Sequence, residues 1–444
     1  MAMADAASGF LNAVFGGRGK LSKEAAAEAP WTPNGGFPPS TPEVLKRVRA
    51  SIEDRLPKGM AVLVVYRARD AKRTDGGESF GLLGAYGDNL AEPLGGAGKP
   101  GLDLNSLAVQ LEETLTILGQ LASWSREKEK LVNWLNRLMD DARQHTELEL
   151  VVWDVTGFRI PWELFWLRDP LKRRDPSFLG ALMTVTRWLD IAPSSIVQDF
   201  TKQDFTRNPG QTSAPVAAYV YETESDKSMV RDKDLLRDFQ VEYASSMSGL
   251  LTLLSDPNGA ALAMVYAACH GEFGDGPGQS KLHKLTYESA HQHADEYGFG
   301  RLHNRQTLVF LNACASGPVG EDKGRYNDGS LRGFPKMFLE CGAAGVLATA
   351  APITNDFAHQ AARDLFNRLR LDPRLPVARA VRDLRRQAAG SLPKDIWADD
   401  VPDTQLRAAN TMLLPVLYWS MYLYYGSPRM VVPFPGSNGS PASD

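Results

Sequence analysis

LVFLNACASG, residues 308–317, opens on four consecutive large apolar residues, turns polar at Asn312 and carries a cysteine just past that change. A short unbroken apolar run predicts a strand buried on both faces, as in a parallel sheet. Ser316 and Gly317 then open a loop. Parallel sheets present their chemistry at the C-terminal strand edges, and that is where Cys314 falls.

A second run of the same kind, ALAMVYAACHGEFG (residues 261–274), ends in His270 and Gly271. Roughly forty residues separate the histidine from the cysteine, enough for the crossover that parallel neighbours require. Two adjacent strands then bring an imidazole and a thiol to one sheet edge. That is the minimal nucleophile and base: the thiolate attacks a carbonyl carbon and the imidazole handles the proton. Gly271 lacks a Cβ and lets backbone and substrate approach closely. Its N–H, with that of Cys314, is placed to stabilise an oxyanion. A strand-end cysteine alone is more often an inert thiol; the histidine on the neighbouring strand is what favours catalysis.

The surrounding pattern is α/β. Six short apolar runs follow residue 148: LELVVWDV (148–155), MTVTRWLDI (183–191), PVAAYVYE (215–222), ALAMVYAACH (261–270), TLVFLNAC (307–314) and AGVLATA (344–350). Helical patterns lie among the later ones, in residues 233–254, 331–342 and 354–370. Apolar strands alternating with helices imply a mainly parallel sheet covered on both faces. Upstream, residues 1–40 read as a flexible tail rich in Ala, Gly and Pro. Residues 41–145 hold a strand candidate from Met60 and a helix pair. In that pair Leu107, Leu111, Leu115 and Leu118 share one face, as core-packing helices do. Residues 146–430 form the main domain, and 431–444 a disordered tail.

Composition narrows the function. The chain has 444 residues, 43% of them hydrophobic and 23% charged, as in ordinary globular proteins with a sizeable core. A net charge of −4 argues against a dedicated nucleic-acid-binding protein. Three cysteines, Cys269, Cys314 and Cys341, are too few for a disulfide framework and suggest a reducing, cytoplasmic setting. The most apolar late stretch, TMLLPVLYWSMYLYYG (411–426), contains Pro415 and falls short of the ~20 residues a membrane span needs. No nucleotide-binding or serine-hydrolase motif is present, so no cofactor is expected.

Several stretches together resemble CHAT-domain proteins: VYAACHGEF, LVFLNACASG, FLECGAAGVLATAAPITND, ARAVRDLRRQ and LYWSMYLYYGSP, in that order, with VVWDVTGFRIPWELFW ahead of them. These are caspase-like cysteine peptidases of the clan that includes caspases, metacaspases, separases and gingipains. The resemblance covers roughly residues 146–430. It implies a caspase-like α/β/α sandwich, with an N-terminal α/β or helical extension here, His270 as general acid–base and Cys314 as nucleophile. It further implies a regulated endopeptidase that cuts few protein targets, in bacterial defence or cell death; a protein substrate encoded nearby is expected, and the long polar insertion Glu272–Gln306, Gly-rich at its start, predicts an activating partner or self-cleavage. Many members carry Glu after the cysteine, where this chain has Ala315.

Asn312 is expected to line the pocket for the residue before the cut. Metacaspase-like relatives carry Asp there to face arginine or lysine, so Asn312 points to a neutral or moderately basic side chain. Asp322 and Asp328, in GEDKGRYNDGS, are the alternative source of acidity, although a solvated loop is their plainer reading. Cys269 faces away from the histidine, and Cys341 ends a helix pattern; both read as packing residues. HQHADE (291–296) has metal-ligand residue types without a metal-site spacing. The competing functional classes are a catalytically silent scaffold that binds a partner through residues 41–145, and acyl transfer to a small molecule.

Overall fold

The computed structural model describes residues 56, 58–67, 79–87, 89–98, 100, 114–142, 147–169, 171, 175, 177–189, 214–223, 229–274, 279–302, 307–321, 331–392 and 403–432. The chain divides into two compact units. One comprises residues up to Met183 with Arg385–Ser420, the other Thr184–Leu384 with the residues from Met421.

In the first unit β1 (Met60–Arg67) is a continuous apolar strand. It pairs antiparallel with β2 (Ser79–Tyr86), which pairs antiparallel with β3 (Asn89–Gly98). On its other side β1 runs parallel to β4 (Glu149–Asp154). Only β1 and β4 are visible as apolar runs in the sequence. β3 reads NLAEPLGGAG, and its Pro and Gly residues argue against a strand; it lies outermost in the order β3-β2-β1-β4, where such residues are tolerated. The helical pattern resolves into α1 (Thr114–Arg126) and α2 (Glu129–Ala142). Leu118 is buried, and α2 buries Leu131, Trp134, Leu135 and Leu138 at three- and four-residue spacing. Leu107 and Leu111 lie outside the described residues. Phe80, Trp124, Trp162 and Phe165 form an aromatic cluster, with Phe80 edge-on to Trp162 and Trp124 edge-on to Phe165.

The second unit carries the site. Its strands are β5 (Thr184–Trp188), β6 (Val216–Val220), β7 (Val241–Tyr243), β8 (Met264–Cys269), β9 (Leu308–Ala313), β10 (Gly345–Thr349) and β11 (Tyr422–Gly426). They lie in the order β5-β11-β10-β9-β8-β6-β7. Every pairing is parallel except β10 with β11. All six residues of β8 and all six of β9 are buried, so both faces of the sheet are covered.

The covering helices are α3 (Met247–Leu254), α4 (Tyr287–Tyr297), α5 (Phe334–Glu340) and α6 (Asn355–Leu371). Ser246, Thr286 and Thr354 each cap a helix by accepting a backbone N–H three residues on. The pattern over residues 233–254 is only partly helical. Asp232–Leu235 makes one helical turn, and Val241–Tyr243 is instead an edge strand paired with β6. A β-branched and an aromatic residue two apart suit a strand edge, and Ser245 and Ser246 break the helix before α3 begins.

Residues 411–426 prove to be the end of helix Asp403–Met421 followed at once by β11. Among the described residues no helix is long and apolar enough to cross a membrane.

Candidate active site

β8 and β9 run parallel in a register that begins at Met264↔Leu308 and ends at Cys269↔Ala313. His270 and Cys314 are therefore the next residues on two neighbouring strands, whose axes lie about 5 Å apart. His270 is exposed, Cys314 is half-buried, and Cys269 is buried in the strand.

Gly271 sits where the two strand ends nearly touch. A Cβ there would lie 2.0 Å from the Cys314 carbonyl oxygen, so no other residue fits without moving the backbone. Gly271–Glu272 forms a small hairpin with Lys281–Leu282, Gly271 opposite Leu282. The His283 N–H donates to the His270 carbonyl at 2.6 Å. In an antiparallel ladder that bond makes Gly271↔Leu282 a non-hydrogen-bonded pair, so the Gly271 N–H points away from the hairpin partner.

The turn after the cysteine is tight. Ala315 has φ 46°, the left-handed region an alanine seldom adopts. The N–H groups of Ala315, Ser316 and Gly317 donate to Ala351 O, Ala313 O and Thr349 O at 3.3, 3.3 and 2.8 Å. The Ser316 and Thr349 hydroxyls brace the turn by donating to Leu311 O and Ala313 O. The Cys314 thiol donates to Ile353 O and accepts from Ile353 N–H, both at 3.4 Å. Burial raises the thiol pKa, and the Ile353 N–H and the residue's own backbone oppose that rise. Burial pushes Cys269 and Cys341 up to about 12.

A pocket opens beside Cys314, lined by Met229, Asp232, Ala268, Cys269, Asn312, Ile353, Asn355 and Ala358. Asn312 does line it, but its amide is engaged inside the protein. Nδ2 donates to Tyr266 Oη and Ala358 O, both at 3.1 Å, and Oδ1 accepts from Tyr422 Oη at 2.7 Å. The chain continues from Tyr266 Oη, which donates to Asp232 Oδ2 at 2.6 Å, while His359 Nδ1 lies 2.6 Å from Asp232 Oδ1. The pocket thus holds a buried carboxylate from Asp232, a residue the sequence does not mark. Asp322 and Asp328 lie outside the described residues.

The other side of His270 is aromatic. Its ring stands 4.8 Å from that of Tyr221, and Tyr221 stands 4.8 Å from the ring of His283. Neither residue is marked by a motif, though Tyr221 follows the apolar part of the run PVAAYVYE much as His270 follows its own. The HQHADE residues are engaged locally: His291 Nδ1 is 2.9 Å from Asp295, and His293 Nε2 is 3.1 Å from the Ser255 hydroxyl. Among the described residues no group of three or more His, Cys, Asp or Glu is disposed to hold a metal ion.

A mainly parallel sheet with helices on both faces thus carries His270 and Cys314 at adjacent strand ends. The family model for the CHAT domain matches residues 129–427, more than half of the chain, and the chain belongs to that family. Similar solved structures include two of the Saccharomyces cerevisiae separase–securin complex, at 3.0 and 2.6 Å resolution. The first has 12% identity and a TM-score of 0.45, over 88% of this chain and 31% of that one. The second has 11% identity and a TM-score of 0.43, over 87% and 31%. The chain thus spans about a third of the length of those structures' matched chains. A comparison with curated proteins finds no match.

Proposed function

We propose that this protein is a cysteine endopeptidase in which Cys314 is the nucleophile and His270 the general base and acid. The β8–β9 register carries this reading, because it leaves the histidine and the cysteine side by side at the C-terminal strand edge. Burial disfavours the thiolate, so Cys314 needs the imidazole to accept its proton before it attacks the peptide carbonyl. The imidazolium then protonates the leaving amine, and water releases the acyl group by the same route in reverse.

The oxyanion of the tetrahedral intermediate is assigned to the N–H groups of Gly271 and Cys314. Two observations support this. The Gly271 N–H is turned away from its hairpin, and the three N–H groups after Cys314 are already bonded to carbonyls.

The pocket supports a basic residue before the cut. The Asp232 carboxylate, held by Tyr266 and His359, gives this side of Cys314 an acidic wall that favours a basic residue before the cut. The expectation from Asn312 was a neutral or moderately basic residue, and its amide is bonded within the protein. The test is to incubate the full chain, and a Cys314→Ala variant, with a proteome-derived peptide library and sequence the new N-termini. Cuts after Lys or Arg made by the wild type alone are expected. Identical products from the two proteins rule the activity out.

A further inference from the structure

Tyr221 is the first residue after β6. Its backbone N–H donates to Ala268 O at 2.8 Å, extending the β6–β8 pairing up to the level of the site. Its ring meets two imidazoles edge to face, His270 at 4.8 Å and 68°, and His283 at 4.8 Å and 76°. His283 is itself held in place. Its N–H donates to the His270 carbonyl, its Nδ1 lies 3.3 Å from Tyr219 Oη, and its backbone is fixed in the left-handed region at φ 54°. Tyr221 is therefore wedged between the fixed imidazole of His283 and the exposed one of His270. Burial, then Lys284 and then His270, lower the pKa of His283.

We infer that Tyr221 is the positioning residue for His270: its ring keeps the imidazole turned towards Cys314 and supports the cation formed when the thiol proton arrives. An exposed imidazole has several orientations, and only some present a nitrogen to the thiol; edge-to-face packing restricts them. In the step concerned, the S–H bond of Cys314 breaks and an N–H bond forms on His270. A neutral pair becomes thiolate and imidazolium with no further reactant. The face of an aromatic ring attracts a cation within about 6 Å, and the two rings here stand 4.8 Å apart in a T-shaped contact. The titratable groups around His270 are Tyr221, His283 and Cys314, with Lys284 beside His283 and the Lys281–Glu272 pair on the hairpin.

The inference rests on the His270–Cys314 pair, and the experiment separates the two. Alkylation of Cys314 by iodoacetamide is followed by mass spectrometry on the full chain from mildly acidic to alkaline pH, with no substrate needed. The wild type is expected to react in the mildly acidic range, where only an imidazole-paired thiolate exists, and His270→Ala to lose that reactivity. Tyr221→Phe should keep it, and Tyr221→Leu should lose about 3- to 30-fold there, the range of a ring's attraction for a cation. Rates at alkaline pH, where the free thiolate reacts, should agree among all the proteins, which a general loss of structure would not allow. Should Tyr221→Leu fail to fold, Tyr221→Met carries the same expectation. A Tyr221→Leu profile matching the wild type, with His270→Ala defective, overturns the role of Tyr221 alone. Profiles unmoved in both overturn the pair and the role together.

Discussion

The two sides of the Cys314 site are built differently. On the pocket side, Ala358 O, Asn312, Tyr266, Asp232 and His359 form an unbroken chain of short polar contacts, joined by Tyr422, and Asp232 and Asn312 are buried. On the base side, His270 is exposed and packs against an aromatic ring. The contrast suits the two roles proposed above. A pocket that discriminates must hold its charge still, whereas a base must carry a proton from thiol to leaving group. Buried polar chains fix geometry because a broken link leaves an unsatisfied group, while ring packing tolerates small rotations.

The largest expected effect comes from the reacting groups. Cys314→Ala should abolish cleavage, and His270→Ala should lower kcat by about 10²- to 10⁴-fold, the usual contribution of a positioned proton-transfer group. Initial rates on a peptide found in the library screen measure both, and a His270→Ala enzyme within threefold of the wild type would dismiss the base assignment.

Asp232→Asn comes next. It keeps the shape and removes the charge, so kcat/KM should drop at least tenfold for a peptide with Arg before the cut. A citrulline peptide should be nearly unaffected. Equal losses on the two peptides would mean that Asp232 supports the pocket without reading the substrate.

Asn312→Asp probes the same side for stability. The carboxylate cannot donate to Tyr266 and Ala358 O, and it faces the Asp232 charge across one tyrosine. A loss of about 1–3 kcal/mol in urea unfolding is expected. No loss would show that the polar chain is not a constraint.

The smallest effect belongs to the base side. Burial first, then Lys284 and His270, lower the pKa of His283, so the folded chain binds a proton there less readily than the unfolded one. Its stabilising share is present above the ordinary imidazole value near 6.5 and is lost as pH falls from there through the lowered one. Urea midpoints at pH 7.5 and pH 5 should therefore differ less in His283→Gln than in the wild type. An unchanged difference would count against any strain at this residue.

The sheet was readable wherever burial on both faces leaves an unbroken apolar run. That is why 308–313 and 264–269 stand out, and with them the residues at their ends. β3 and β7 were not readable, because edge strands need few apolar residues, and β11 was hidden in the apolar continuation of a helix. Cys314, His270 and Gly271 could be picked out because strand ends announce themselves locally. Asp232 could not. It reaches the pocket from a single helical turn, and its partners Tyr266 and His359 stand 34 and 127 residues away in sequence. Asn312 shows the opposite limit, since its position was evident but the demands on its amide were not.

β11 lies inside the sheet, between β5 and β10, although it is made after all its neighbours. Its first residue, Tyr422, also supplies the hydroxyl that holds Asn312, two positions before the nucleophile. A chain still on the ribosome thus has His270 and Cys314 exposed long before it has the strand that completes their support. Protein synthesis would then act as a timer, with the support of the His270 and Cys314 strand ends complete only when residue 426 has cleared the exit tunnel.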